Sequence, residues 1–341
     1  MLNGDSLVPP EGVWIVSGQI QGVPVEIFGT HPDVRSCAEE FVRPMVRGDG
    51  RHPFDALKFS LTLLTSDQDR SPGAGSKGAL LRFANVACFR EGSRFSFHTK
   101  DGSFVKADIE AGKAWGHLSK GLLEGGHFIL TDLLMAPLME MLKRRGFFGL
   151  HAAALVKEGE GYLFPGGAGS GKTTIALSLV KQRLQYLADD KLLVTAGRNG
   201  LVALAFVRHF NIDPDISRHF PELGFLEGLD PLPGTVKRPL DISKVYPGTF
   251  VPCCSPKFLV HIQSTPDLKS RILRLSPTES FTRLVHQTIL SLHKDTAKKQ
   301  LEVLATLVQN TESHLLYNGR DIYGAPERIL ELLRVVRRNG S

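Results

Sequence analysis

Cysteine is scarce in this chain: Cys37, Cys88, Cys253 and Cys254 are the four among 341 residues. That excludes a small disulfide-stapled scaffold. None of them forms a CxxC pair, so a zinc ribbon or a thioredoxin-type redox centre has no support. Adjacent Cys253 and Cys254 read as reduced residues near a strand. An excess of one charge is also missing, since 41 Lys+Arg against 35 Asp+Glu leave a net charge of +6. So mild a bias suits anionic ligands without arguing for a nucleic-acid partner. Part of it, in Arg334, Arg337 and Arg338, reads as a solvated helix end that complements the helix dipole. No run is long and apolar enough to span a bilayer, because the most apolar stretch, 128–142, is broken by Asp132 and Pro137. Residues 1–12 contain a Pro-Pro pair and no apolar signal segment. These absences predict a soluble, cytoplasmic protein without membrane or nucleic-acid partners. Internal repeats and low-complexity tracts are lacking too.

What is present is a 42% hydrophobic composition, enough for a sizeable core. The length suits roughly two domains. Residues 13–30 alternate as strands, through Val13, Ile15, Val23, Val25 and Ile27. Leu57, Leu61 and Leu64 form a partial helical face, 71–78 reads as a loop, and 80–89 and 95–97 read as strands of a hairpin or meander. This first part, to about residue 125, predicts a small α+β domain with no chemical motif.

Beyond it the signals sharpen. Thr131 caps a helix over 131–145 that carries Leu133, Leu134, Leu138, Met141 and Leu142 and stops at Gly146. Strands follow at 147–156 and 161–164, then a glycine-rich loop, a helix at 172–182, and strands at 184–188, 191–196 and 201–207. A Pro/Gly-rich excursion over 213–248 reads as a flap or lid, or equally as a surface loop or partner contact. A strand at 257–262 leads to Ser-Pro-Thr-Glu at 276–279, a capping box with proline at the first helical position. The helical region behind it runs to about residue 309, with one break. A last strand at 314–317 and an amphipathic helix opened by Pro326, with Ile329, Leu332, Leu333 and Val336, end the pattern.

The loop carries the chemistry. Gly166-Gly167-Ala168-Gly169-Ser170-Gly171-Lys172-Thr173 matches G-x-x-x-x-G-K-[ST], the P-loop pattern, and Thr174 continues it into the helix. Glycines let the backbone take positive φ and approach a phosphate closely. The loop N–H groups and the helix N-terminus make a concave anion site. Lys172 reaches the β- and γ-phosphates of ATP, and the Thr173 hydroxyl is placed to ligate Mg²⁺. A chance match in a chain this long is on the order of one or two per cent by composition, and the strand before and helix after lower it further. Residues 73–78, Gly-Ala-Gly-Ser-Lys-Gly, have a similar composition but the wrong order, so they receive no phosphate role.

One helix and one turn later comes Tyr186-Leu187-Ala188-Asp189-Asp190, a short apolar strand ending in two carboxylates near the phosphates. One can hold Mg²⁺ and the other can accept a proton from an attacking hydroxyl. The alternative is a pair of solvated turn aspartates. His151, in Leu150-His151-Ala152-Ala153, lies on the strand before the P-loop strand; alone, it reads as structural more readily than chemical.

Together, Leu150-His151-Ala152-Ala153, the loop at 166–174 and the Tyr-Leu-Ala-Asp-Asp at 186–190 resemble the HPr kinase/phosphorylase-like proteins. These are P-loop kinases related to phosphoenolpyruvate carboxykinase. The match is good over 145–196 and looser to about 335. The resemblance implies an α/β fold: a P-loop kinase domain of the phosphoenolpyruvate carboxykinase-like type over 126–341, behind a smaller N-terminal α+β domain over 1–125. It implies ATP- and Mg²⁺-dependent phosphorylation of a serine-type hydroxyl on a protein, peptide or small molecule. Carried over by position, Lys172 binds phosphates, Thr173 and Asp189 hold Mg²⁺, Asp190 is the general base and His151 sits near the reacting phosphate. The Arg-Gly-x-Gly-type loop and the C-terminal Arg-Glu-Val stretch of true HPr kinases are absent; Arg208, Lys237 and Arg238 are candidates for substitute contacts. Homo-oligomerisation is a further family trait. Two other readings stay open: a nucleotide-gated binding or regulatory protein, and a hydrolytic P-loop ATPase, for which no water-positioning Gln or arginine finger is evident.

Overall fold

A computed structural model describes residues 13–48, 55–63, 78–83, 85–124, 127–232, 235–325 and 328–338. Leu64, Pro326, residues 1–12 and the loop and decoy sequence at 71–77 lie outside them. The chain divides into two compact units, Met1–Arg144 and Arg145–Ser341. The division falls after the helix His127–Arg144, which packs on strands of the first unit, whereas composition placed it near residue 125. No described helix is long and apolar enough to cross a membrane.

The first unit is one mixed eight-stranded sheet. Its spatial order is Trp14–Ile20, Val23–Gly29, Leu57–Leu63, Lys113–Leu118, Phe104–Asp108, Arg94–Thr99, Val86–Glu91 and Leu81–Phe83. Val23–Gly29, Leu57–Leu63 and Lys113–Leu118 run parallel, and the other pairings are antiparallel. Gln21 and Gly22 both have positive φ, at 48° and 87°, as a two-residue primed hairpin turn requires. Of the helical face expected at Leu57, Leu61 and Leu64, the described part, Leu57–Leu63, is a strand instead. Leucines four apart fit period 2 as well as period 3.6, and Leu57, Phe59 and Leu61 are buried on one face. The expected meander at 80–99 forms and continues through Phe104–Asp108 to Lys113–Leu118.

The second unit is organised around one long strand, Phe148–Lys157. A tight turn at Glu158 and Gly159 returns the chain as Glu160–Pro165, antiparallel to it. The helix Lys172–Lys181 follows the glycine-rich loop. Gln185–Ala188 and then Lys191–Gly197 pair in succession with the other edge of Phe148–Lys157. Gly200–Ala205 pairs with Lys191–Gly197 and with the start of Cys253–Ser264. That strand in turn runs parallel to Glu160–Pro165, so the pairing closes on itself. Glu312–Asn318 adds parallel to Cys253–Ser264, and Arg271–Arg274 forms the edge. Ala152 to Leu155 are all buried, as expected for a strand covered on both faces. Ser276 and Glu279 form the expected capping box of the helix Pro277–His286, and Lys294–Gln309 follows the break.

The excursion at 213–248 is not a free flap. Phe220, Leu223, Leu226, Leu240 and Ile242 join the buried cluster of Ile175, Leu179 and Val180 of the loop-following helix, with Tyr162, Phe164 and Tyr186. Its apolar residues are distributed among short 3-10 turns and the small pair Phe210–Ile212 and Arg238–Leu240, so neither a helical nor a strand period marks them in the sequence.

Candidate functional site

Strand register assembles the site. On Phe148–Lys157, Ala152 pairs with Pro165 on one side and His151 pairs with Lys191 on the other. The glycine-rich loop begins at the next residue after Pro165, and Asp190 immediately precedes Lys191. Three segments distant in sequence therefore meet at residues 151 and 152.

The side chains complete the contact. His151 Nε2 lies 2.6 Å from Asp190 Oδ1. Lys172 Nζ donates to Gly166 O at 2.8 Å and Gly167 O at 3.0 Å, and sits 3.5 Å from the same Asp190 oxygen. Burial would raise the Asp190 carboxyl, but the hydrogen bond and charge of His151, with Lys172 and Lys191, hold it down at about 2. Lys172 is only 6% exposed. Burial lowers its ammonium pKa, against the opposing pull of Asp190 and Asp189.

Asp189 is a different case. It is 5% exposed, Oδ2 accepts from Asn211 N at 3.3 Å, and Oδ1 is buried without a hydrogen-bond partner. Burial pushes its carboxyl up to about 6, although the nearby Thr173 hydroxyl opposes the rise. A buried carboxylate oxygen without a donor, beside a threonine hydroxyl, is the donor set a small hard cation needs. Among the described residues no cluster of three or more His, Cys, Asp or Glu side chains could hold a metal ion.

The loop shows why it is rich in glycine. A Cβ at Gly166 would stand 2.6 Å from Ser170 Oγ and 3.3 Å from Ile262 Cβ. Gly169 and Gly171 have φ of +74° and +95°, and Gly171 caps the helix start at Lys172. Gly167, Ala168 and Gly169 are exposed, while Thr173 and Thr174 lie half-buried in the first helical turn.

The three candidate cations part company. Arg208 is committed to Asp241 at 3.0 Å, to Ser243 Oγ at 2.9 Å, and to the face of Phe250 at 4.7 Å. Arg238 donates to Leu229 O at 3.1 Å and to Val236 O, bracing its own loop. Lys237 is exposed, and its charge acts on both Asp189 and Lys172. Among the described residues, then, Arg208 is held by a salt bridge and Arg238 by backbone carbonyls, while the Lys237 ammonium has neither.

Two residues without a sequence motif touch the loop. Ser264 Oγ donates to Gly169 O at 3.2 Å, and Asn318 Nδ2 donates to Ser170 O at 3.1 Å. The available signal was positional: both end strands that run parallel to one another beside the loop strand, where open α/β sheets gather ligand groups.

No family model matches the chain, and no curated protein matches it. Among solved structures it is similar to the HPr(Ser) kinase/phosphatase of Coxiella burnetii, over 56% of this chain and 97% of that one. Identity is 15% and the TM-score is 0.32, too weak a superposition to carry over any residue role.

Proposed function

We propose that the chain is an ATP- and Mg²⁺-dependent phosphotransferase, moving a γ-phosphate to a serine-type hydroxyl of a protein, peptide or small molecule. The observation that carries this reading is the hydrogen-bonded set of His151, Asp190 and Lys172 at the mouth of the glycine-rich loop. This is the chemistry of the HPr kinase/phosphorylase-like proteins that the motifs resemble.

The roles follow from chemistry. The N–H groups over 166–174 and the Lys172 ammonium cradle the phosphates. Thr173 and Asp189 would hold Mg²⁺, whose charge offsets the charge that builds on the phosphates during transfer. Asp190 orients the acceptor hydroxyl in line with the γ-phosphorus. As the new O–P bond forms, the bond to the β-phosphate oxygen breaks and ADP leaves with the electron pair. The hydroxyl proton passes to Asp190, whose orientation His151 holds. A carboxylate held near 2 is a weak base; it suffices because a loose phosphoryl-transfer transition state demands positioning more than deprotonation.

The test is incubation with Mg-ATP and a panel of serine peptides and hydroxyl metabolites, read by mass spectrometry for gain of one phosphoryl group. Transfer that disappears in Asp190→Asn while ADP still binds supports the reading. Tight ADP binding with no transfer to any hydroxyl supports a nucleotide-gated regulatory protein instead.

A further inference from the structure

Ser264 and Asn318 are register partners at the ends of two parallel strands. Each donates one side-chain hydrogen bond to the glycine-rich loop, and the carbonyls they hold are consecutive: Gly169 O and Ser170 O. Asn318 is 6% exposed, and its main chain is pinned as well, because Asn318 O accepts from Thr265 N at 3.2 Å. Its Oδ1 is buried without a hydrogen-bond partner. Turning the amide over would set oxygen against the Ser170 carbonyl, so the contact fixes which end of the amide faces the loop.

We propose that Ser264 and Asn318 are positioning residues that set the peptide planes of the phosphate loop, and so aim its N–H groups at the bound anion. The proposal rests on the reading of the loop as a nucleotide-phosphate site. A trans peptide carries its C=O and N–H in opposite directions. Tying Ser170 O outward therefore turns the Gly171 N–H into the concave side. Tying Gly169 O fixes the next peptide plane too, whose Ser170 N–H donates to Gly167 O at 3.3 Å and closes the turn that leads into Gly171. Gly169 and Gly171, on either side of Ser170, have positive φ and no side chain to restrain them. The restraint comes instead from the two neighbouring strand ends. Gly171 must also lack a side chain here, because a Cβ would collide with Asn318 Nδ2.

The test uses the full chain, with Mg-ADP binding measured by calorimetry at 25 °C and the unliganded thermal midpoint measured alongside. In Asn318→Ala, Mg-ADP affinity is expected to fall on the order of tenfold, the size of one hydrogen bond that orients a charged ligand's donors. The unliganded midpoint should stay close to that of the wild type, which a merely structural role would not allow. Asn318→Asp, which sets a carboxylate against the Ser170 carbonyl, should lose more. Ser264→Ala, at an exposed hydroxyl, should lose about threefold, and it carries the test if Asn318→Ala does not fold. Combined with Asn318→Ala, it should show coupling, because both hold one loop. Wild-type binding with unchanged affinity in Asn318→Ala and Ser264→Ala would overturn the strut alone. No Mg-ADP binding by the wild type would overturn the proposed function and the strut together.

Discussion

Two polar clusters, one in each unit, treat their carboxylates in opposite ways, the first at the surface and the second buried. In the first unit, Asp101 accepts from Ser103 Oγ at 2.7 Å and from the hydroxyls of Thr99 and Ser119. Burial would raise its carboxyl, but these three donors hold it below the usual range. In the second unit, Asp189 has one backbone donor at 3.3 Å and a buried oxygen with no partner, and its carboxyl is pushed up to about 6. Ser170 Oγ and Asn318 Oδ1, around the same loop, are also buried without partners. A satisfied cluster stabilises its unit; an unsatisfied one costs stability until something binds. The contrast separates a structural polar network from a site, on grounds independent of any motif.

The largest effect should come from Asp190, the carboxylate proposed to orient the acceptor. Asp190→Asn keeps the shape of the side chain but loses the charge that orients the hydroxyl. Transfer should fall on the order of a thousandfold or more, with Mg-ADP affinity changed only a few-fold. A normal transfer rate in that variant would remove Asp190 from the reaction.

The same Asp-to-Asn change should act with opposite sign on stability at exposed Asp101 and buried Asp189. At Asp189 the folded state holds the proton up to about pH 6, against about 3.8 for a solvated aspartate. The favourable contribution is therefore complete below about 3.8 and lost as pH rises through about 6. In the metal- and nucleotide-free protein, Asp189→Asn should gain about 2–3 kcal/mol at pH 8 and almost nothing at pH 4. Denaturant titrations at the two pH values measure this. A loss at both would show that the Asp189 charge is structural, and the contrast would break.

Asp101→Asn should instead lose about 1 kcal/mol at pH 7, since three hydroxyls give up a charged acceptor that solvent already screens in part. Mg-ADP affinity should not change. A shift in affinity would mean that the network in the first unit supports the site.

Much of this arrangement was legible in the sequence, and the reasons for what was not are physical. The loop at 166–173, the Asp189-Asp190 pair and the capping box at 276–279 are local patterns whose chemistry depends on spacing alone. Leu57 and Leu61 misled because a spacing of four fits both periods, and the partners of the strand decide between them. The packed 213–248 segment carries neither period. Asn318 and Ser264 were invisible because their contact with the loop depends on a parallel register between strands far apart in the chain. Arg208 and Lys237 looked alike as lone cations; only the tertiary neighbours of Arg208 show it already committed.

The smallest prediction compares one exposed lysine from each unit. Lys106 pairs with Glu91 at 2.9 Å on the sheet of the first unit. Lys106→Ala should cost about 0.5 kcal/mol of stability, as exposed ion pairs do, and leave nucleotide binding untouched. Lys237 has no such carboxylate partner, and its charge acts on Asp189 and Lys172. Lys237→Ala should leave stability unchanged and lower Mg-ADP affinity about two- to threefold at low salt. Because the charge is exposed, the effect should shrink as ionic strength rises and the Debye length contracts. Calorimetry at about 20 and 300 mM salt distinguishes this long-range pull from a direct contact. A loss that persists undiminished at high salt would place the Lys237 ammonium on the phosphates themselves, extending the site from the loop to the exposed rim of the 213–248 segment.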